Sequence, residues 1–232
     1  MISFIVPAYN EERYLGATLE AIHAAALSTG EAYEIVVADD ASTDGTAAVA
    51  EAGGARVVHV HNRQIAATRN AGVRAAAGDV LIFVDADTRV SGPLVAGALA
   101  ALRAGAVGGG APVRLDGAPA WANAFMRAFV PLYFRLARWA AGCFLFCTRV
   151  AFDAAGGFDE RYYASEEIHL SRALKRQGRF VMLETPVTSS SRKLEGRTAG
   201  DMLWMLVRLA AGGREGLRAR SGATAFWYPD RR

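Results

Sequence analysis

Val80-Leu81-Ile82-Phe83-Val84-Asp85-Ala86-Asp87 is a short apolar run that ends in two acids. Its β-branched and aromatic residues predict a buried strand over Val80–Val84. The carboxylates then sit at the carboxyl edge of a sheet. Residues two apart in extended chain point the same way. Two carboxylates so aligned repel each other unless something positive lies between them. A divalent cation shared with substrate phosphates is the usual solution. Taken alone, Asp85 and Asp87 also read as two solvated loop acids.

Outward from this run, strands and helices alternate. Ile2–Val6 reads as a strand ended by Pro7. Glu11–Leu27 is a helix with its stripe at Leu15, Leu19, Ile22 and Ala26. Tyr33–Ala38 is a second strand, Asp39 to Gly45 a turn, and Thr46–Ala52 a helix. Val57–Val60 is a third strand, and Gln64–Ala77 an Ala-rich helix ended by Gly78. Repeated β-α-β units predict a mostly parallel sheet with helices on both faces. Ligands of such sheets bind beyond the carboxyl ends of the strands. Four polar clusters fall there: Pro7–Glu12, Asp39–Asp44, Thr68–Asn70 and Asp85–Asp87.

Composition narrows the function. The chain has 232 residues, enough for one well-buried domain, and neither a linker nor an internal repeat is visible. A net charge of +3 without a basic run argues against nucleic acid. Cys143 and Cys147 lack zinc spacing and read as buried thiols of a reducing compartment, which predicts a cytoplasmic protein. The N-terminus lacks the basic start of a signal peptide. The longest apolar stretch, Trp121 to Phe146, is interrupted by Arg127, Arg135 and Arg138.

Each cluster has its own chemistry. Asp39 or Asp40 can accept hydrogen bonds from a base or ribose, and Ser42 can cap the following helix; plain turn chemistry is the alternative. Arg69 can approach a phosphate or base, or form a surface salt bridge. Gly108-Gly109-Gly110 lacks dinucleotide-fingerprint spacing and reads as a strand edge or bend.

Together, Pro7-Ala8-Tyr9-Asn10-Glu11-Glu12, Asp39-Asp40-Ala41-Ser42-Thr43-Asp44-Gly45-Thr46, Arg69-Asn70-Ala71-Gly72, Asp85-Ala86-Asp87 and Gly156-Gly157-Phe158-Asp159-Glu160 resemble the successive signatures of the family 2 glycosyltransferases of GT-A fold. The resemblance covers roughly residues 1 to 185. It implies a single Rossmann-like α/β domain over 1–232, with residues 1–112 as the nucleotide-sugar-binding half. Residues 113–232 form the acceptor-binding half with a C-terminal helical segment. It further implies transfer of a sugar from a nucleotide diphosphate sugar to a hydroxyl acceptor, with inversion and with Mg²⁺ or Mn²⁺. By the same resemblance Pro7, Tyr9, Glu11 and Asp39 line the nucleoside pocket. Arg69 flanks the base, Asp85 the ribose, and Asp87, with Asp85, holds the metal. The alternative from another class is a nucleotide-sugar-binding module without turnover.

The second half carries the acceptor side. Gly142–Thr148 reads as a buried strand, which in the family passes under the donor sugar. Ser165-Glu166-Glu167-Ile168-His169-Leu170 opens a helix. The family usually has Glu-Asp here, and its second acid is the base, which carries over to Glu167. A hydroxyl acceptor must lose its proton as it attacks the anomeric carbon. Glu166 is expected to orient the loop or touch the acceptor. Both glutamates also suit a helix N-terminus for electrostatic reasons alone. His169 reads either as an ordinary helix residue or as a ligand to metal or acceptor.

Ser189–Lys193 with Arg197 reads as a cationic loop, either solvated or covering the diphosphate. No Gln-x-x-Arg-Trp follows, which favours a single transfer over a processive synthase. Trp121–Arg138 and Thr198–Leu209 are amphipathic. They pack on each other or across a homodimer, or else they touch the inner membrane leaflet and a lipid-linked acceptor.

Overall fold

The computed structural model describes residues 1–117, 140–163 and 165–192. The amphipathic stretches Trp121–Arg138 and Thr198–Leu209, with Lys193 and Arg197, lie outside the described residues.

In chain order the elements are β1 (Ile2–Ala8), α1 (Glu12–Leu27), β2 (Tyr33–Asp40), α2 (Thr46–Ala52), β3 (Arg56–Val60), α3 (Ile65–Ala75) and β4 (Val80–Val84). Then follow β5 (Thr88–Arg89), α4 (Gly92–Arg103), β6 (Gly108–Gly110), β7 (Val113–Asp116) and β8 (Phe144–Thr148). The last are α5 (Arg149–Ala155), α6 (Glu166–Gln177), β9 (Phe180–Met182) and β10 (Val187–Ser190). A seven-stranded sheet has the order β3-β2-β1-β4-β8-β6-β9. Among the described residues only β8 runs against its companions in that sheet. The sheet is therefore mostly parallel, as the alternation of elements predicts. A smaller sheet, β5-β10-β7, stands beside it.

The strands alternate their side chains between two cores. Phe4, Val6, Ile35, Val37, Ile82, Val84, Phe144 and Phe146 pack on the α1, α2 and α4 side. Ile5, Val36, Leu81, Phe83, Leu145 and Cys147 pack on the α3, α5 and α6 side. Both faces are covered, so β4 is apolar throughout and not merely at every second residue. On α1 the stripe Leu15, Leu19, Ile22 and Ala26 is buried. Burial pushes the Cys147 thiol well above its ordinary range.

Several boundaries differ from the sequence reading. Pro7 does not end β1, which continues to Ala8 in register with Asp39 of β2. Pairing of β1 with β4 stops at Ile5–Phe83, so beyond it a residue without an N–H is tolerated. β2 runs on through Asp39 and Asp40, placing both acids on strand and not in a turn. α3 stops at Ala75 because Ala76 is already extended. Gly108–Gly110 is an inner strand, not an edge. A Cβ on Gly109 would lie 2.2 Å from the Val181 carbonyl oxygen, so only glycine lets β6 pass between β8 and β9. Ser189 and Ser190, read as the start of a cationic loop, instead end strand β10, which is parallel to β7 and antiparallel to β5.

Candidate active site

The carboxyl ends of β1, β2 and β4 lie side by side, and the amino end of the antiparallel β8 reaches the same edge. The loops after β1 and β2 are tied together there. The Asn10 amide donates to Ser42 Oγ (2.9 Å), the Thr43 amide to Asn10 Oδ1 (2.8 Å) and the Gly45 amide to Glu12 Oε2 (2.7 Å). Ser42 therefore does not cap α2. Asp44 serves that end instead, accepting from the Thr46 amide at 3.0 Å. Asn10, Ala41, Arg63 and Ser165 all have positive φ without being glycine, and each adjoins this edge. Backbone strain of this kind collects at functional sites.

The two β2 acids divide their work. Asp40 is fully buried and accepts from the Asn62 amide (2.7 Å), the Arg63 amide (2.8 Å) and Thr68 Oγ1 (3.0 Å). It anchors the loop into α3. Asp39 accepts from the Ser42 amide at 3.2 Å and faces the exposed His59 at 3.3 Å. Of the two, Asp39 is the one that does not hold the loop into α3.

Asp85 and Asp87 are not aligned as an extended chain would align them. β4 ends at Val84, and the Thr88 amide donates to the Asp85 carbonyl, closing a turn. The carboxylates part. Asp85 meets Arg69 Nη2 at 2.8 Å, and Asp87 meets Arg192 Nε at 2.8 Å. Arg192 also reaches Glu11 at 2.5 Å and lies over the Tyr14 ring, 4.9 Å from its centroid. β10 carries it there, with the Ser190 amide donating to the Asp87 carbonyl at 3.1 Å. Burial opposes the charge of Arg192, but Glu11 and Asp87 outweigh it and hold its pKa up.

Arg69 departs most from expectation. It is not a surface side chain but is 1% exposed. Nη1 meets Glu166 at 2.5 Å, and Nη2 donates to the Gly142 carbonyl at 2.9 Å as well as to Asp85. The Phe158 ring lies 5.2 Å from its guanidinium carbon. Burial disfavours its charge, yet Asp85, Glu166 and Glu167 together hold its pKa above the ordinary value. Next to it, Asn70 exchanges two hydrogen bonds with the Phe158 backbone (2.9 and 3.0 Å), locking the Gly156–Glu160 loop onto α3.

The α6 acids also differ from each other. Glu166 is buried and turned onto Arg69. Glu167 is half-buried, and a Cβ on Gly142 would lie 3.7 Å from its carboxyl carbon. Burial and the Glu166 charge push the Glu167 carboxyl up to about 8. His169 stacks on Tyr162 with ring centroids 3.7 Å apart. Pro7 is buried within β1, and Tyr9 follows that strand, half-buried. Among the described residues no three His, Cys, Asp or Glu side chains cluster as a ready-made metal site.

Residues 3–155 match the family described as Glycosyl transferase family 2. The chain belongs to this family. Over 94 residues, this family 2 chain is 40% identical to undecaprenyl-phosphate 4-deoxy-4-formamido-L-arabinose transferase of Pseudomonas aeruginosa, covering 38% of the chain and 28% of that protein. The chain thus spans little more than a quarter of the length of that relative. Its fold is similar to that of a mannosyltransferase from Pyrobaculum calidifontis in complex with GDP-Man and Mn²⁺. That match has a TM-score of 0.69 and 21% identity, over 89% of this chain and 60% of that one. It is also similar to S. aureus TarS 1-349 in complex with UDP-GlcNAc, with a TM-score of 0.66 and 20% identity, over 97% and 69% of the two chains. The family 2 chain thus has the GT-A fold expected from its motifs. No helix among its described residues is long and apolar enough to cross a membrane.

Proposed function

We propose that the chain is a glycosyltransferase that moves one sugar from a nucleotide diphosphate sugar to a hydroxyl acceptor with inversion, in a single, non-processive transfer. The observation that carries this reading is the convergence at one sheet edge of Asp39, Asp85 and Asp87 with the Glu166–Glu167 pair, the two groups joined through Arg69. Pro7, Tyr9, Glu11 and Asp39 hold the nucleoside on the first two strand ends. Asp85 faces the ribose. The donor-binding half is 1–112 and the acceptor half 113–232.

Glu167 acts as the base. The acceptor oxygen forms its bond to the anomeric carbon from the face opposite the diphosphate while its proton passes to the Glu167 carboxylate. The bond from the anomeric carbon to the diphosphate oxygen breaks, and its electron pair leaves with the diphosphate. One base and in-line attack invert the centre.

Mg²⁺ or Mn²⁺ fits this edge, because carboxylate oxygen suits a hard cation that completes its shell with phosphates and water. The structure already gathers positive charge there, with Arg192 between Glu11 and Asp87. Asp87, with Asp85, would hold the ion, which offsets the charge of the leaving diphosphate. The Mn²⁺ in the complex of the P. calidifontis mannosyltransferase supports the same choice.

The name of the P. aeruginosa relative supports a lipid-linked acceptor, with the chain peripheral on the inner membrane face of the cytoplasm. An acceptor that is already ionised, such as a lipid phosphate, needs no proton removed, so dependence on Glu167 separates it from a hydroxyl.

The test is incubation with several nucleotide sugars, UDP-GlcNAc and GDP-Man among them, with Mn²⁺. Slow release of nucleotide diphosphate is expected. Asp87→Ala should retain the fold and lose the gain in nucleotide diphosphate affinity that Mn²⁺ gives the native protein. A protein that binds a donor and never consumes it would instead be a nucleotide-sugar-binding module.

A further inference from the structure

We propose that Arg69 is a positioning residue for glycosyl transfer, setting the α6 acid pair against the end of β4, and that it does not touch the nucleotide. This rests on the glycosyltransferase reading and adds a role to one of its residues.

The geometry is specific. One side chain on α3 reaches three segments remote in sequence. Asp85 lies at the tip of β4, the Gly142 carbonyl at the mouth of β8, and Glu166 at the start of α6. At 1% exposure it has no open face to offer a base. Phe158 closes one side of the guanidinium, and the Gly156–Glu160 loop that carries Phe158 is itself held by the adjacent Asn70. Gly142 is shared as well. A Cβ there would come 3.4 Å from Arg69 Nη2 and 3.7 Å from the Glu167 carboxyl carbon. The residue that Arg69 grips by its carbonyl is thus the one against which the base packs.

A planar fork is needed for this task. Its two terminal nitrogens serve different acids in fixed directions, which the point charge of a lysine cannot reproduce. Arg69 also carries one positive charge among Asp85, Glu166 and Glu167. Glu166, the more deeply buried of the pair, takes the direct contact. Glu167 is left beside Gly142 with its carboxylate uncommitted to the guanidinium. A displacement of about 1 Å in such a group costs roughly 100-fold in rate.

The experiment compares native protein, Arg69→Lys, Arg69→Gln, Glu166→Gln and the Arg69→Lys/Glu166→Gln double variant. Calorimetry with UDP and with GDP in Mn²⁺ measures nucleotide affinity without turnover. Donor consumption gives kcat and KM for whichever of UDP-GlcNAc and GDP-Man the native protein uses. For a positioning role, Arg69→Lys should keep nucleotide affinity within about threefold and donor KM within a few-fold, while kcat falls roughly 10–100-fold. Arg69→Gln should fall further where it folds, so that lysine counts as partial rescue. The kcat effects of Arg69→Lys and Glu166→Gln should be less than additive, since one acts through the other. Loss of tenfold or more in nucleotide affinity with kcat retained would make Arg69 a base ligand and overturn the proposal. Strictly additive effects on kcat would overturn it too. If the native protein consumes neither donor, the glycosyl-transfer reading fails with these donors, and the calorimetry still decides whether Arg69 touches nucleotide.

Discussion

Asp85 and Asp87 stand two residues apart, yet they belong to different regions of the molecule. Around Asp85 the site is interior: Arg69 is almost fully enclosed, and its partners come from β4, β8 and α6. Asp87 is itself buried, but its arginine partner lies at the rim. Arg192 keeps a quarter of its side chain exposed and is held by Glu11 and by the end of β10. The same pairing of an aspartate with an arginine therefore has two physical meanings. The interior pair fixes where the acids stand. The rim pair leaves a cation partly open at the strand ends.

The comparison breaks first, and most, at Glu167. Glu167→Gln keeps the shape and removes the proton acceptor. Donor consumption with a hydroxyl acceptor should fall ~10²–10⁴-fold, and donor affinity should stay within about threefold. The base works only when ionised, and its carboxyl is pushed up to about 8. The rate of the native protein should therefore rise with pH up to that region and level off above it, and the rise should vanish in Glu167→Gln. Full activity of Glu167→Gln at neutral pH would move the base elsewhere.

Stability sharpens the contrast. Arg69→Gln leaves Asp85 and Glu166 without their buried partner, which should cost about 3–5 kcal/mol in denaturant unfolding. Arg192→Gln removes an arginine that is itself a quarter exposed and should cost less than that, though more than a surface pair, because Asp87 and Glu11 are mostly buried. Equal losses would mean that both arginines are structural and that the division into interior and rim is mistaken.

The last expected effect concerns the nucleoside end. Asp39→Asn should weaken free nucleotide and nucleotide sugar alike by ~1–3 kcal/mol, the value of a hydrogen bond to a charged group. Calorimetry showing unchanged affinity for free nucleotide would remove Asp39 from that role. Asp40→Asn should act on folding instead, because Asp40 is spent on backbone amides of the loop before α3.

The sequence by itself determined the family and the architecture. Apolar runs at Val36–Val37 and Val80–Val84, the helical stripe on α1 and acids at strand tips are local patterns, and a parallel sheet follows from them because buried strands need helices on both faces. Tertiary structure alone decided which acid meets which arginine. Arg69 and Glu166 are 97 residues apart, and Arg192 and Glu11 are 181 apart. Whether an arginine faces solvent, a ligand or a carboxylate depends on what the rest of the chain brings to it. The inner position of Gly108–Gly110 has the same origin, since a run of glycines reads as a bend until two strands close on it. The parting of Asp85 from Asp87 does too. A turn over Asp85–Thr88 after β4 separates two carboxylates that strand geometry would have aligned, and each then meets a different arginine, the enclosed Arg69 or the partly exposed Arg192.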